Sequence, residues 1–301
     1  MTDEVHFSSP FEVRPFEPGG FGTIAIIGVG LIGGSLGRAL KTRRLAQRVI
    51  GVERSAEQLE AAKAFGAIDV GTTSLVEATS EADIIVLCTP VGHILETLPQ
   101  VLAAAKDGAV VTDVGSTKGA IVRQAGGATS FVGGHPMAGS EQTGVEAATP
   151  YLFEEATWAI TPSEASSPHA VQTVQRLVQS VGATTLLLPP DTHDAMLAVT
   201  SHLPHVLASA LMRQAEQTQS RHPQTQNLTA GSFADGTRVA VSSPEIWRDV
   251  CLSNRDALLQ ALQTFRSELD TLEAAVADSD AAQIEAFFAA GAAAKRNWGP
   301  L

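Results

Sequence analysis

Cysteine is nearly absent from this 301-residue chain, which has only Cys88 and Cys251. Two thiols cannot build a disulfide framework, so a reduced, cytoplasmic setting is expected. Cationic side chains are scarce too: 20 Lys and Arg face 32 Asp and Glu, a formal net charge of −12. So acidic a surface repels phosphate backbones and anionic bilayers, which argues against nucleic-acid and membrane partners. Long apolar runs are missing as well. The most apolar stretch, Ile24 to Gly37, is glycine-studded and closes at Arg38. That is short of the roughly 20 apolar residues a membrane helix needs. The opening MTDEVHFSSP is acidic and lacks the apolar core of an export signal. No internal repeat is visible.

What is present is enough apolar side chain, 44% of residues at a mean hydropathy of +0.10, to bury sizeable cores. At roughly 150 residues per domain the length suggests two. Residues 1–22 end in Pro18, Gly19, Gly20 and Gly22 without periodicity, and read as a leader that packs late or not at all. From Thr23 short apolar runs alternate with amphipathic stretches. The runs are Thr23–Ile27, Arg48–Val52, Asp83–Cys88, Ala109–Asp113, Phe131–Gly133, Ala156–Thr161 and Thr184–Leu188. Helix-like stretches such as Leu31–Arg44, Ala56–Phe65 and Pro168–Val181 separate them. This alternation marks a doubly wound, Rossmann-type parallel sheet covered on both faces, over residues 23–190.

After Pro189-Pro190 the strands stop, and residues 191–301 read as an all-helical domain. Asp191–Arg213 is expected as one helix interrupted in pattern by Pro204. A polar, glutamine-rich segment (Gln214–Gly231) follows, then helices over Pro244–Ala277 and Ala281–Lys295. Ser243-Pro244 supplies a cap hydroxyl and a first-turn proline.

Gly28-Val29-Gly30-Leu31-Ile32-Gly33 is a G-x-G-x-x-G sequence between an expected strand and an expected helix. Gly28 suits the tight turn, Gly30 the approach of a pyrophosphate, and Gly33 close helix–strand packing. Leu31 and Ile32 open the helix whose N–H groups would meet the phosphates. Glu53 lies at the end of the second run, where a carboxylate accepts from a ribose hydroxyl. These residues, with Thr89 just past the third run, form the expected nucleotide site. Glu53 favours NAD, because it would repel the extra phosphate of NADP. Arg54 and Ser55 beside it could pair with that phosphate, so NADP stays open.

Three further segments are more specific: Asp113-Val114-Gly115-Ser116-Thr117-Lys118, Gly134-His135-Pro136-Met137-Ala138-Gly139-Ser140-Glu141 and Ser201-His202-Leu203-Pro204-His205. With Arg238 and Trp247-Arg248-Asp249, they closely resemble the prephenate/arogenate dehydrogenase family of tyrosine biosynthesis. The resemblance runs in order from about Thr23 to the end. It implies oxidative decarboxylation of a cyclohexadiene: hydride leaves the carbinol carbon, carbon dioxide leaves opposite, and the ring becomes a phenol.

Such chemistry asks for a base near neutrality beside the hydroxyl, and histidine is the side chain whose pKa sits there. The resemblance makes His135 that base, with Ser116 orienting it or bonding the hydroxyl; a helix cap is the plainer role for that serine. Lys118 could be an anion ligand or a solvated cation. Prephenate carries two carboxylates, and by resemblance Arg238 grips one through parallel bonds, unless it is simply a surface arginine. The resemblance adds Glu141, Ser201 and His205 to the substrate set. His205 can donate to a keto oxygen or carboxylate, which favours prephenate over arogenate.

A metal site built from Asp191, His193, Asp194, His202 and His205 is disfavoured, since an H-x2-H pair around a proline lacks helical zinc spacing. No metal is expected. The resemblance also implies a homodimer through the helical half. Nothing in the length points to an added regulatory or mutase domain. The rival readings are a β-hydroxyacid dehydrogenase, which normally uses a lysine that Asp191–Arg213 lacks, and a non-catalytic dinucleotide sensor.

Overall fold

The computed structural model describes residues 20–140 and 142–298. The chain divides into two compact units, with the boundary between Pro190 and Asp191. Among the described residues of the first unit, eight strands form one sheet: β1 (Thr23–Ile27), β2 (Arg48–Val52), β3 (Val70–Thr72), β4 (Ile84–Leu87), β5 (Val110–Asp113), β6 (Phe131–Pro136), β7 (Thr157–Thr161) and β8 (Thr184–Leu187). The helices between them are α1 (Leu31–Thr42), α2 (Ala56–Ala64), α3 (Leu75–Glu81), α4 (Val91–Ala104), α5 (Gly119–Gln124) and α6 (Pro168–Ser180).

Alternation along β1 shows why its run is apolar at every position. Ile24 and Ile26 enter one buried cluster with Leu36 and Leu40 of α1 and Val174 and Leu177 of α6. Ala25 and Ile27 enter a second with Ile94 and Leu98 of α4. Successive side chains point to opposite faces, so a strand buried on both sides has no polar face. The strand order is β3-β2-β1-β4-β5-β6-β7-β8. The chain therefore turns one way from β1 and the other way after β3. The crevice at the carboxyl ends of β1 and β4 is the topological switch point.

One pairing departs from the all-parallel expectation: β7 runs antiparallel to β6, with His135 opposite Ala159. A strand buried on both faces reads the same in either direction, so the apolar run could not reveal this. β6 also extends past Gly133 to Pro136. Phe21, within the expected leader, is buried and donates its N–H to the Leu45 carbonyl at 3.1 Å. Residues 1–19 of that leader lie outside the described residues.

The second unit is helical: α7 (Pro190–Leu197), a π turn (Ala198–His202), α8 (Leu203–Arg221), α9 (Gly231–Thr237), α10 (Pro244–Ser253), α11 (Arg255–Ala277) and α12 (Ala281–Trp298). The wide turn precedes Leu203-Pro204, where the proline has no N–H for the helical ladder. Two expectations shift. α8 runs on through much of the glutamine-rich segment, and Asn254, at φ −110° and ψ 36°, breaks the expected long helix into α10 and α11. Ser243 does cap α10, accepting from the Ile246 N–H at 3.4 Å.

The continuous helical stretch Pro190–Arg221 spans 32 residues, and its most apolar window has a mean hydropathy of 1.4. It is thus long and apolar enough to cross a membrane, which the ranking of Ile24–Gly37 as most apolar did not anticipate. It also carries buried His193, Asp194 and His202, and Asn254 bonds two of these. Those buried polar groups find their hydrogen-bond partners within the same unit, as buried polar groups in proteins do.

Candidate active site

At the β1–β4 crevice, Gly28 opens the turn at φ +92°, the left-handed region that side chains avoid. A Cβ on Gly33 would stand 2.0 Å from the Gly28 carbonyl oxygen, so α1 lies on β1 only without one. Gly30 differs: at φ −82° an added Cβ would meet nothing within 4 Å. It is open ground before a helix whose first turn has neither a side-chain cap nor an acidic residue. Glu53, half-buried at the end of β2, accepts from the Val29 N–H inside the turn at 2.5 Å. Thr89 adjoins Gly28, and its buried Oγ1 has no hydrogen-bond partner among the described residues. Leu31 and Ile32 are half-buried and Arg54 is exposed. Ser55 spends its hydroxyl capping α2, accepting from the Gln58 N–H at 3.2 Å.

This edge suits a pyrophosphate-bearing dinucleotide: free helix N–H groups, no side chain in front of them, a carboxylate at β2 and an uncommitted hydroxyl at Thr89. Cys88 beneath it is no nucleophile. Burial, then the Asp113 and Glu53 carboxylates, push its thiol up and keep it protonated.

Two strands along the same edge, the β5–β6 ladder stops at Thr112 opposite Val132. Beyond it, side chains replace the missing strand partner. The Gly134 N–H donates to Asp113 Oδ1 at 3.2 Å, and its carbonyl accepts from Lys118 Nζ at 2.7 Å. Lys118 also pairs with Asp113, and both side chains are fully buried. Lys118 is therefore neither a solvated cation nor a surface anion ligand, as the sequence left open. Burial pushes the Asp113 carboxyl up, while the Lys118 ammonium and the N–H groups of Gly115 and Gly134 oppose it. His135, half-buried, follows directly on this clamped glycine. Ser116 is half-buried in the intervening turn; α5 starts at Gly119 with Lys118 at its N-cap, so Ser116 is not the helix cap. Asp113 stands in one of the family-like segments, but its role as a clamp has no local signal, because its partner Gly134 is 21 residues away.

In the second unit, His205 Nδ1 donates to the Ser201 carbonyl at 2.9 Å. Its ring stacks on Trp247, centroids 3.8 Å apart at 27°. Burial lowers the His205 pKa, partly offset by that carbonyl and reinforced by the positive charge of Arg238. Ser201, His205 and Arg238 thus belong to one neighbourhood, with Trp247 as a floor. It is the backbone oxygen of Ser201, not its hydroxyl, that bonds the histidine. Among the described residues no group of three or more His, Cys, Asp or Glu side chains gathers as a metal site. Glu141 lies outside the described residues.

Residues 36–187 match the family described as prephenate dehydrogenase, nucleotide-binding domain, and residues 189–290 match prephenate dehydrogenase, dimerization domain. The chain belongs to the prephenate dehydrogenase family. It is 36% identical over 271 residues to the prephenate dehydrogenase of Bacillus subtilis, which covers 88% of this chain and 73% of that relative. The structure of Synechocystis arogenate dehydrogenase is similar at a TM-score of 0.80 and 31% identity, covering 92% of this chain and all (100%) of the other. Prephenate dehydrogenase from Aquifex aeolicus, solved with hydroxyphenyl propionate and NAD+, is similar at 0.82 and 30%, covering 91% and 96%. The chain is accordingly an oxidoreductase with the family's nucleotide-binding fold. The two matched regions meet within three residues of the unit boundary after Pro190.

Proposed function

We propose that this chain oxidatively decarboxylates prephenate to 4-hydroxyphenylpyruvate with NAD, His135 accepting the ring-hydroxyl proton. The observation that carries the reading is the clamp on Gly134, which fixes the backbone of an imidazole-bearing strand at the sheet edge that holds the glycine turn. NAD, when bound at that turn, supplies the hydride acceptor. His135 then removes the hydroxyl proton, which raises electron density on the carbinol carbon and eases hydride departure. Ser116 orients the imidazole or the hydroxyl. Arg238 holds one substrate carboxylate through two parallel bonds, and His205, Ser201 and Glu141 complete the substrate set.

NAD is preferred to NADP because Glu53 stands at the ribose end and Ser55 is occupied as a helix cap. The likeness to a structure solved with NAD+ supports the same cofactor here. The helical unit matches a dimerization domain, which supports a homodimer formed through it.

Arogenate is the second reading, and one observation favours it. With its proton given to Ser201, neutral His205 keeps a lone pair on Nε2, which suits an ammonium better than a keto oxygen. Catalytic efficiencies on prephenate and arogenate, each with NAD and NADP, test the proposal. Prephenate with NAD should be best, with NADP at least tenfold poorer. A strong arogenate preference, or equal use of both cofactors, would overturn the corresponding part.

A further inference from the structure

Asn254 sits in the break between α10 and α11, buried to 4% exposure. Its side-chain nitrogen is 2.8 Å from the carbonyl oxygen of Asp194 in α7 and 3.1 Å from Nδ1 of His202 in the π turn. A carbonyl oxygen only accepts, so the amide NH2 faces it, and the second amide hydrogen goes to His202. Nδ1 of His202 is then the acceptor, and the proton of the neutral ring sits on Nε2. Burial keeps that ring neutral, pushing it down to about 4; the Asp194 carboxylate pulls the other way, and His193 and His205 reinforce the shift.

Three residues on, the arrangement inverts. His205 Nδ1 faces the Ser201 carbonyl, so its proton is on Nδ1 and Nε2 carries the lone pair. Trp247 touches both rings, His202 edge-on at 5.9 Å and 77°, His205 stacked at 3.8 Å.

We propose that Asn254 is a positioning residue that sets the tautomer of His202, so that the two histidines under Trp247 are held as opposite tautomers, the buried His202 protonated at Nε2 and His205 left with an acceptor at Nε2. By bridging α7 and the π turn, the same amide holds the wide turn in register. Of the two rings only His205 is part-exposed, and its acceptor edge suits a ligand group that donates, such as an ammonium. That ligand class rests on the prephenate or arogenate reading; the tautomers do not.

The test is long-range proton–nitrogen NMR of the full chain labelled with nitrogen-15 histidine, near neutral pH. His202→Gln and His205→Gln assign the two rings. His202 should appear as the Nε2–H tautomer and His205 as Nδ1–H. Asn254→Asp, equal in size but with an acceptor in place of the donor, should move a proton onto His202 Nδ1 and lower kcat/KM at least tenfold. An Nδ1–H tautomer at His202 in the unaltered chain overturns the proposal, as does an unmoved tautomer in Asn254→Asp. Should that variant not fold, the unaltered chain decides alone. Lack of turnover on both prephenate and arogenate would sink the functional reading while leaving the spectra to judge the tautomers.

Discussion

A methyl group at Gly30 and one at Gly33 should have opposite consequences, though the two glycines are three residues apart. At Gly33 the new carbon would stand 2.0 Å from the Gly28 carbonyl oxygen, so α1 must move off β1. Gly33→Ala should cost about 2 kcal/mol or more, as overpacked sites do, and lower the melting temperature. At Gly30 the carbon meets open space, and the backbone already has a φ that alanine accepts. Gly30→Ala should melt like the unaltered chain yet bind NAD at least tenfold more weakly by calorimetry. Equal NAD affinity would mean that the phosphates lie elsewhere. Both roles were legible as a motif, since glycine spacing states where side chains are excluded. Gly134 was not: a Cβ there would be 2.9 Å from Trp158 Nε1, a neighbour 24 residues away that no local pattern shows.

At the scale of elements, the Asp113–Lys118 pair is the join between β5 and the end of β6. Removing one member of a buried pair leaves an uncompensated charge and typically costs about 3–5 kcal/mol. Lys118→Met should therefore destabilise by that order in denaturant titration, and Asp113→Asn/Lys118→Met should recover part of it. A single variant of native stability would show that the clamp carries no weight. The strands at Thr23–Ile27 and Arg48–Val52 were readable to the residue because a doubly buried strand leaves an unbroken apolar run. β3 was not, being three residues long with its first residue exposed. The reversal of β7, the π turn and the break at Asn254 also escaped, because direction, helical register and long-range amide bonds leave no periodic trace. Of the proposed site, the imidazoles were legible by motif. What holds them, Asp113, Lys118 and Asn254, acts across 16 to 60 residues of sequence.

Over the whole molecule, the buried His202 ties stability to pH. Its folded pKa is about 4 against an ordinary 6.5, so between these values the unfolded chain binds more protons. Its contribution is complete above about pH 6.5 and is lost as pH falls toward 4. At roughly 1.4 kcal/mol per unit the effect is on the order of 3 kcal/mol. Thermal melts across that window should fall for the native chain and fall less steeply for His202→Gln; parallel curves would contradict the assignment. The helical unit also leaves Leu228, Val241 and Phe288 well exposed, and only 22% of the most apolar window of its longest helical stretch is buried. Apolar surface of that kind calls for a partner. Sedimentation at micromolar concentration should show a dimer, and monomer alone would refute pairing through this unit. The most direct test of the mechanism is the turnover number of His135→Ala with saturating prephenate and NAD. Positioned proton transfer contributes roughly 10²–10⁴-fold, so kcat should fall by that factor while NAD affinity holds. A kcat within threefold of the native value would contradict His135 as the base.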